Sequence, residues 1–266
     1  MSFDSYLKGE KLFGDDFSEL EIAEWYKSEE EGYSGLVKEN DGEYQYHAMN
    51  QFYGFQHIIN IPKFKRTLGI GSAFGTEFEP IISKIESLTI LEPSEKLRSV
   101  RIKEVSPIYV KPNVNGAIDF PENSFDLVTC FGTLHHIPNV EFVLSEIVRV
   151  MEPGGILLLR EPIRTMGDWR FPRKGLTKNE RGIPHTYFDD FFKSTNVTVV
   201  KKSFCESLFA YRLLKRLFGI DIKSPYYPKL DNLISRVFEF NIHYHPTSVL
   251  EKISPGSVFY IVKKNN

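Results

Sequence analysis

Between residues 65 and 163, short apolar runs alternate with helical segments, and that alternation leaves few architectures open. Thr67-Leu68-Gly69-Ile70 reads as a strand running into the turn Gly71-Ser72-Ala73-Phe74-Gly75, with a helix expected from about 76 to 85. Leu88-Thr89-Ile90-Leu91 and Ile108-Tyr109-Val110 are further strands, the first ending at Glu92-Pro93 and the second before Pro112. Phe125-Asp126-Leu127-Val128-Thr129-Cys130-Phe131 is a buried strand, followed by an amphipathic helix over 140–150. Pro153-Gly154-Gly155 reads as a tight turn into Ile156-Leu157-Leu158-Leu159, an apolar run typical of a strand covered on both faces. Strands alternating with helices build βαβ units, so the fold class is α/β, a doubly wound, mostly parallel sheet. Right-handed crossovers put the loops after the strands on one edge, and ligands of such sheets bind there, at the switch point.

The flanks read differently. Ser18 with Glu21 three residues on has the form of a capping box and starts a helix that Gly32 and Gly35 are expected to end. Residues 44–59 carry aromatic and aliphatic residues at helical spacing, closed by Pro62. After Ile163 comes a long loop, 164–186, holding Trp169, Arg170, Arg173, Arg181 and His185. A strand at 196–200, one or two helices within 206–240 and a final strand at 257–262 complete the pass. The chain has 22 Phe and 13 Tyr, many of them in 1–60 and 204–260, where they either pack the surrounding helices or cover a pocket.

Charge and cysteines exclude several classes. The formal net charge of -2 provides no general attraction for phosphate backbones, so a nucleic-acid partner is not expected. Cys130 and Cys205 form no CxxC pair, and no metal site is expected. No apolar run approaches the ~18 residues of a membrane span, and the start of the chain lacks the basic and apolar regions of a signal peptide. The expected location is the cytoplasm.

Three features carry chemistry. The glycine turn lets a ligand approach the backbone closely, although Gly69-x-Gly71-x-x-x-Gly75 also suits any strand-to-helix turn. Glu92 ends the second strand about twenty residues later, where a carboxylate accepts from ribose hydroxyls; it can equally be a cap. More specific is the order Asp119-Phe120-Pro121-Glu122-Asn123-Ser124-Phe125-Asp126, then Leu134-His135-His136-Ile137-Pro138, then Met151-Glu152-Pro153-Gly154-Gly155. Here the chain resembles the class I methyltransferases that use S-adenosylmethionine, over roughly residues 65–163.

The resemblance implies a seven-stranded sheet whose last strand runs antiparallel beside the strand at 196–201. It implies a helical N-terminal lid (1–60), an α/β core (61–203), a helical cap insertion that builds the acceptor site (204–250) and a last core strand (251–266). The cofactor would be S-adenosylmethionine and the product S-adenosylhomocysteine. Gly69, Gly71, Ser72, Ala73 and Gly75 match the glycine motif around the methionine part, and Glu92 the ribose ligand. Pro93 lies by the adenine, as do Asn115, Gly116 and Ala117; Phe131, Gly132 and Thr133 line the cofactor after the fourth strand. The chain departs from the pattern at Gly69, where the family has an acid that positions the cofactor's ammonium group, and at Ala73, where it has a glycine. Candidate bases are His135, His136 and His185. Glu161 either meets the acceptor or pairs with Arg160 or Arg164, and Arg170, Arg173, Lys174 and Arg181 either recognise an anion or are solvated. The resulting expectation is methylation of a small polar metabolite or sugar, at oxygen. The alternatives are an RNA or protein acceptor, or a non-catalytic scaffold of the same fold. Monomer and oligomer are equally compatible with the sequence.

Overall fold

Apolar residues at alternate positions send side chains to opposite faces of a strand, and in this chain both faces are covered. The computed structural model describes residues 3–36 and 44–266. Its strands are β1 (Thr67–Ile70), β2 (Leu88–Leu91), β3 (Ile108–Val110), β4 (Phe125–Phe131), β5 (Met151–Pro162), β6 (Val197–Cys205) and β7 (Ser257–Lys264). They form one seven-stranded sheet in the order β3-β2-β1-β4-β5-β7-β6. β1, β2, β3, β4 and β5 are parallel to one another, and β7 runs antiparallel between β5 and β6. The order reverses between β1 and β4, so the crevice beyond their carboxyl ends is the switch point.

The helices are α1 (Asp4–Leu7), α2 (Glu19–Leu36), α3 (His47–Tyr53), α4 (Val140–Val150), α5 (His185–Ser194), α6 (Leu208–Phe218) and α7 (Tyr227–Val237). Two apolar layers sandwich the sheet. Leu68, Val128, Leu157, Leu159 and Tyr260 face α4 and α5, meeting Val143, Leu144, Ile147, Phe188 and Phe192. Leu127, Leu158, Phe259 and Ile261 face the other way, onto Met49 and Tyr53 of α3, Phe78, Ile81, Leu214 of α6 and Tyr227 of α7. No helix among the described residues is long and apolar enough to cross a membrane.

Several local expectations change. The capping box is made: Glu21 Oε2 accepts from Ser18 N–H (2.8 Å), but α2 continues through Gly32 to Leu36. A single glycine costs only ~1 kcal/mol in a helix and does not have to end it. The helix expected over 76–85 is two separate 3-10 turns, Thr76–Phe78 and Ile82–Lys84. Pro80 has no N–H to give to the carbonyl of Thr76, so an α-helix cannot run through it. Pro153-Gly154-Gly155 lies inside β5, where the pairing with β4 shifts register between Phe125 and Leu127. His185 opens α5, whose first two residues fall at the end of the stretch read as loop, 164–186.

Candidate active site

The crevice is built on the turn after β1. Gly71 has φ +63°, and a Cβ there would lie 2.5 Å from Thr133 Cγ2 and Oγ1, so only glycine fits. Thr133 holds the two strand ends together by donating its hydroxyl to Ile70 O (2.9 Å). Ala73 adopts φ +45°, the left-handed conformation that glycine would take more easily. Two bonds hold it there: its N–H donates to Glu92 Oε2 (3.1 Å), and its carbonyl accepts from Tyr109 OH (2.9 Å).

Glu92 leaves the end of β2 and is buried. Its other oxygen, Oε1, accepts from Ser94 N–H (3.0 Å). Burial raises its pKa, while the N–H groups of Ser94 and Ala73 pull the other way. The carboxylate still has lone pairs to offer and borders a cavity of about 140 Å³. Leu91, Pro93, Val114, Ile137 and Val143 make that cavity apolar, and Tyr26, Lys27, Glu29 and Glu30 of α2 also border it.

After β4 the chain turns at Gly132 (φ +68°) into a single 3-10 turn, Leu134–His136. Glu161, fully buried at the end of β5, holds this turn. Its Oε1 accepts from Thr133 N–H (2.8 Å) and Leu134 N–H (2.7 Å), and its Oε2 lies 2.9 Å from His135 Nδ1. It pairs with neither Arg160 nor Arg164, and its lone pairs are spent on the turn rather than on an acceptor. His135 Nε2 is 3.6 Å from Glu180. Burial opposes a charge on His135, but Glu161 and Glu180 outweigh it and push the pKa up to about 9. His136 differs: burial, then the charge of His135, lower its pKa, against the pull of Glu29. Its Nδ1 lies 2.8 Å from Glu29 Oε2, and since a carboxylate only accepts, Nδ1 carries a proton. Glu29 also accepts from Thr177 Oγ1 (2.5 Å) and so ties α2 to the long loop. His135, His136 and Glu180 place one ligand atom each within 4.8 Å of one another, close enough to converge on a cation.

A second cavity, about 550 Å³, opens on the other side of Gly71, Gly132 and His136, which border both. Tyr44, Tyr46, Ser72, Ala73, Glu77, Phe131, Arg160 and Glu206 are on its wall. Arg160 lies 4.0 Å over the Tyr46 ring and 3.6 Å from Glu206, and among the described residues its Nη1 has no hydrogen-bond partner. Glu77 Oε1 accepts from Ser72 Oγ (3.0 Å) and Thr129 Oγ1 (2.7 Å).

The structure thus brings Gly71, Ser72, Ala73, Glu92, Pro93, Gly116, Ala117, Phe131, Gly132, Thr133, His135 and His136 to one crevice. Gly69, Gly75 and Asn115 support it from behind. Gly75 packs on Ile90 and Ile102, and Asn115 Oδ1 accepts from Ala117 N–H (3.0 Å). His185 is not brought there: it borders neither cavity and lies 3.3 Å from Asp189 and 3.1 Å from Lys202 Nζ. The loop arginines are bound within the protein. Arg181 is fully buried and donates to the carbonyls of Phe13, Leu134, His135, Ile137 and Pro138; Arg173 donates to carbonyls and Arg170 to Asp168. His245 lies 2.8 Å from Thr165 Oγ1, a structural contact. Of residues 204–250, Glu206 alone borders a cavity, the second, because α7 packs on α3 and β6 and α6 packs on α7. Sequence reasoning missed Glu29, Glu77, Glu180 and Glu206. Only Glu77 carried a signal, a lone acid just past the glycine turn among apolar neighbours.

Residues 68–159 match the family model described as a methyltransferase domain. The ubiquinone/menaquinone biosynthesis C-methyltransferase of Edwardsiella ictaluri is 35% identical over 88 residues, 33% of this chain and 34% of that protein. The sterol 24-C-methyltransferase of Yarrowia lipolytica is 46% identical over 48 residues, 18% of this chain and 13% of that protein. The chain therefore spans about a third or less of these curated relatives. The N-methyltransferase NodS of Bradyrhizobium japonicum, solved with S-adenosyl-L-homocysteine, superposes with a TM-score of 0.54 at 12% identity, over 90% of this chain and 99% of that one.

Proposed function

The chain carries a methyltransferase domain on the class I seven-stranded sheet, and from that premise we propose that it transfers a methyl group from S-adenosylmethionine to a small molecule, at oxygen. S-adenosylhomocysteine is the product of that reaction. The bare backbone of Gly71, which borders both cavities, and the buried Glu92 beside an apolar cavity suit this donor. Glu92 would take the ribose hydroxyls with its remaining lone pairs, Pro93 and Val114 would cover the adenine, and Gly116 and Ala117 would edge it. When bound, the donor supplies an activated methyl group on a sulfonium, which leaves alignment and proton handling to the protein.

The His136–Glu29 pair carries the reading. His136 stands where the two cavities meet, its pKa is lowered, and its Nδ1 proton is held by Glu29. In this reading the His136 ring takes the acceptor's hydroxyl proton, and Glu29 stabilises the imidazolium that forms. His135, charged and held between two carboxylates, keeps its neighbour neutral and is not itself a base. His185, outside the crevice, has no part in the transfer. The acceptor would lie in the second cavity, against Tyr44, Tyr46, Arg160 and Glu206, a wall suited to a hydroxylated ring such as a sugar. The net charge of -2 supplies no pull toward RNA.

A second reading, methylation at carbon, is favoured by the names of the curated relatives, and the same base would serve an acidic C–H. Incubation with methyl-labelled S-adenosylmethionine and a panel of hydroxylated metabolites separates the two, because O-methyl and C-methyl carbons have distinct NMR shifts. An O-methyl product is expected; a C-methyl product would replace the first reading by the second.

A further inference from the structure

The departure at position 69 leads to a residue that no resemblance assigns. A Cβ on Gly69 would lie 2.4 Å from Ser72 Oγ and 2.9 Å from the Phe78 ring, so the room for an acidic side chain there is already filled. One hydrogen bond beyond, Ser72 Oγ donates to Glu77 Oε1 (3.0 Å). Glu77 thus delivers a carboxylate next to the space that position 69 leaves without one, from the turn after the glycine loop instead of from the strand.

The second cavity has three buried or half-buried carboxylates of comparable access, and two are committed. Glu161 is bound to the 134–136 turn and His135, and Glu206 is paired with Arg160. Glu77 has hydroxyl partners only, both on Oε1, and among the described residues no hydrogen bond reaches Oε2. It is 4% exposed and borders the cavity. A buried acid with no ion pair of its own is costly, and a cation arriving in the cavity offsets the cost. Burial raises Glu77 to about 7, against the pull of Thr129, Ser72 and the more distant charge of Arg160, which is itself paired with Glu206.

We infer that Glu77 receives the α-ammonium group of the methyl donor's amino-acid end. This rests on the cofactor reading above. With the ribose at Glu92, the donor's amino-acid end would reach the second cavity past Gly71, which borders both, and Glu77 is the acid left there to meet a cation. It is a binding residue and takes no part in the proton transfer.

Calorimetric titration of the full chain tests this with three ligands: S-adenosylhomocysteine, its analogue lacking the α-amino group, and 5′-methylthioadenosine, which lacks the amino-acid end altogether. Wild type should bind S-adenosylhomocysteine roughly tenfold to a hundredfold more tightly than the deaminated analogue. Glu77→Gln should lose that same factor for S-adenosylhomocysteine, while its affinity for the deaminated analogue and for methylthioadenosine stays within about twofold. Equal affinity of wild type for the aminated and deaminated ligands overturns the assignment without needing the variant to fold. A variant that keeps the discrimination, or that loses all three ligands alike with its circular dichroism intact, also overturns it. Folded wild-type protein that binds none of the three removes the cofactor reading itself.

Discussion

The two cavities that meet at His136 are made in different ways. The first draws on strand ends and the loops that follow them: Ile70-Gly71, Leu91 to Ser94, the stretch around 111–118 and Gly132-Thr133. Of its two buried acids, Glu92 is held by two backbone N–H groups, and Glu29 comes from α2. The second collects side chains from residues 44–46, 72–77, 131–136, 160–162, 206 and 257, and its acids face hydroxyls, an arginine and a histidine. A cavity built from contiguous turns is set by local backbone geometry. One assembled from distant segments depends on packing, and it is free to change its acceptor while the sheet stays the same.

His136→Ala should break the comparison most severely, since it stands on both walls. A lost general base costs roughly 10²–10⁴ in turnover, with S-adenosylhomocysteine affinity within about twofold. Comparable losses in turnover and in affinity would make His136 a pocket wall and not a base. With the imidazole pKa lowered below 6.5, the wild-type rate should already be level at pH 7 and fall only on acidification below that value. A rate that keeps rising above pH 8 would point to another base.

Glu161→Ala asks whether the second cavity has a rigid floor. It strips four groups of residues 133–135 of their acceptor, three backbone N–H groups and the His135 ring, and leaves that ring beside Glu180 alone. Breaking a buried ionic contact of this kind costs about 3–5 kcal/mol, readable by urea unfolding. Unchanged stability would return Glu161 to the acceptor.

Stability against pH sharpens the contrast between Glu77 and Glu92. Glu77 is raised from 4.5 to about 7 in the fold. Between those values the folded chain holds a proton that the unfolded chain has lost. That contribution to stability is fully present below pH 4.5 and is lost as the pH rises through about 7. Ligand-free Glu77→Gln should therefore be more stable than wild type at pH 8, by roughly 1–3 kcal/mol, with the gap closing toward pH 5. A constant gap across that range would mean that the carboxyl does not titrate as described. The same substitution weakens donor binding, so stability and function would move in opposite directions.

The smallest effect belongs to Ala73→Gly. Relief of the left-handed alanine should change stability by about 1 kcal/mol or less and leave donor affinity nearly unaltered. A large gain in affinity would show that Ala73 hinders the site, which its two backbone hydrogen bonds argue against.

What could be read from the sequence follows the same division. The strands were legible because each is a short apolar run bounded by turn residues, and the first cavity because its walls sit at fixed offsets from strand ends. The capping box at Ser18 and Glu21 was legible for the same local reason. Three turns misled: Gly32 sits inside a helix whose neighbours sustain it, Pro80 splits an otherwise helical pattern, and Pro153-Gly154-Gly155 is absorbed by a register shift in β5. The second cavity was not legible, because nothing local links Thr129 to Glu77, 52 residues away. The same holds for the one part of the first cavity supplied by α2, where Glu29 meets His136 across 107 residues. Arg181 shows the limit from the other side. A loop arginine suited to an anion proves to be fully buried, holding five carbonyls of two segments.

The central claim is that the crevice between β1 and β4 holds the methyl donor with its ribose on Glu92. Titration of S-adenosylhomocysteine into wild type and Glu92→Ala, side by side, tests it most directly. The account predicts saturable binding by wild type and a loss of roughly tenfold to a hundredfold in the variant, as expected for charge-assisted hydrogen bonds. Equal affinity in the two proteins, or no binding by folded wild type, would contradict it.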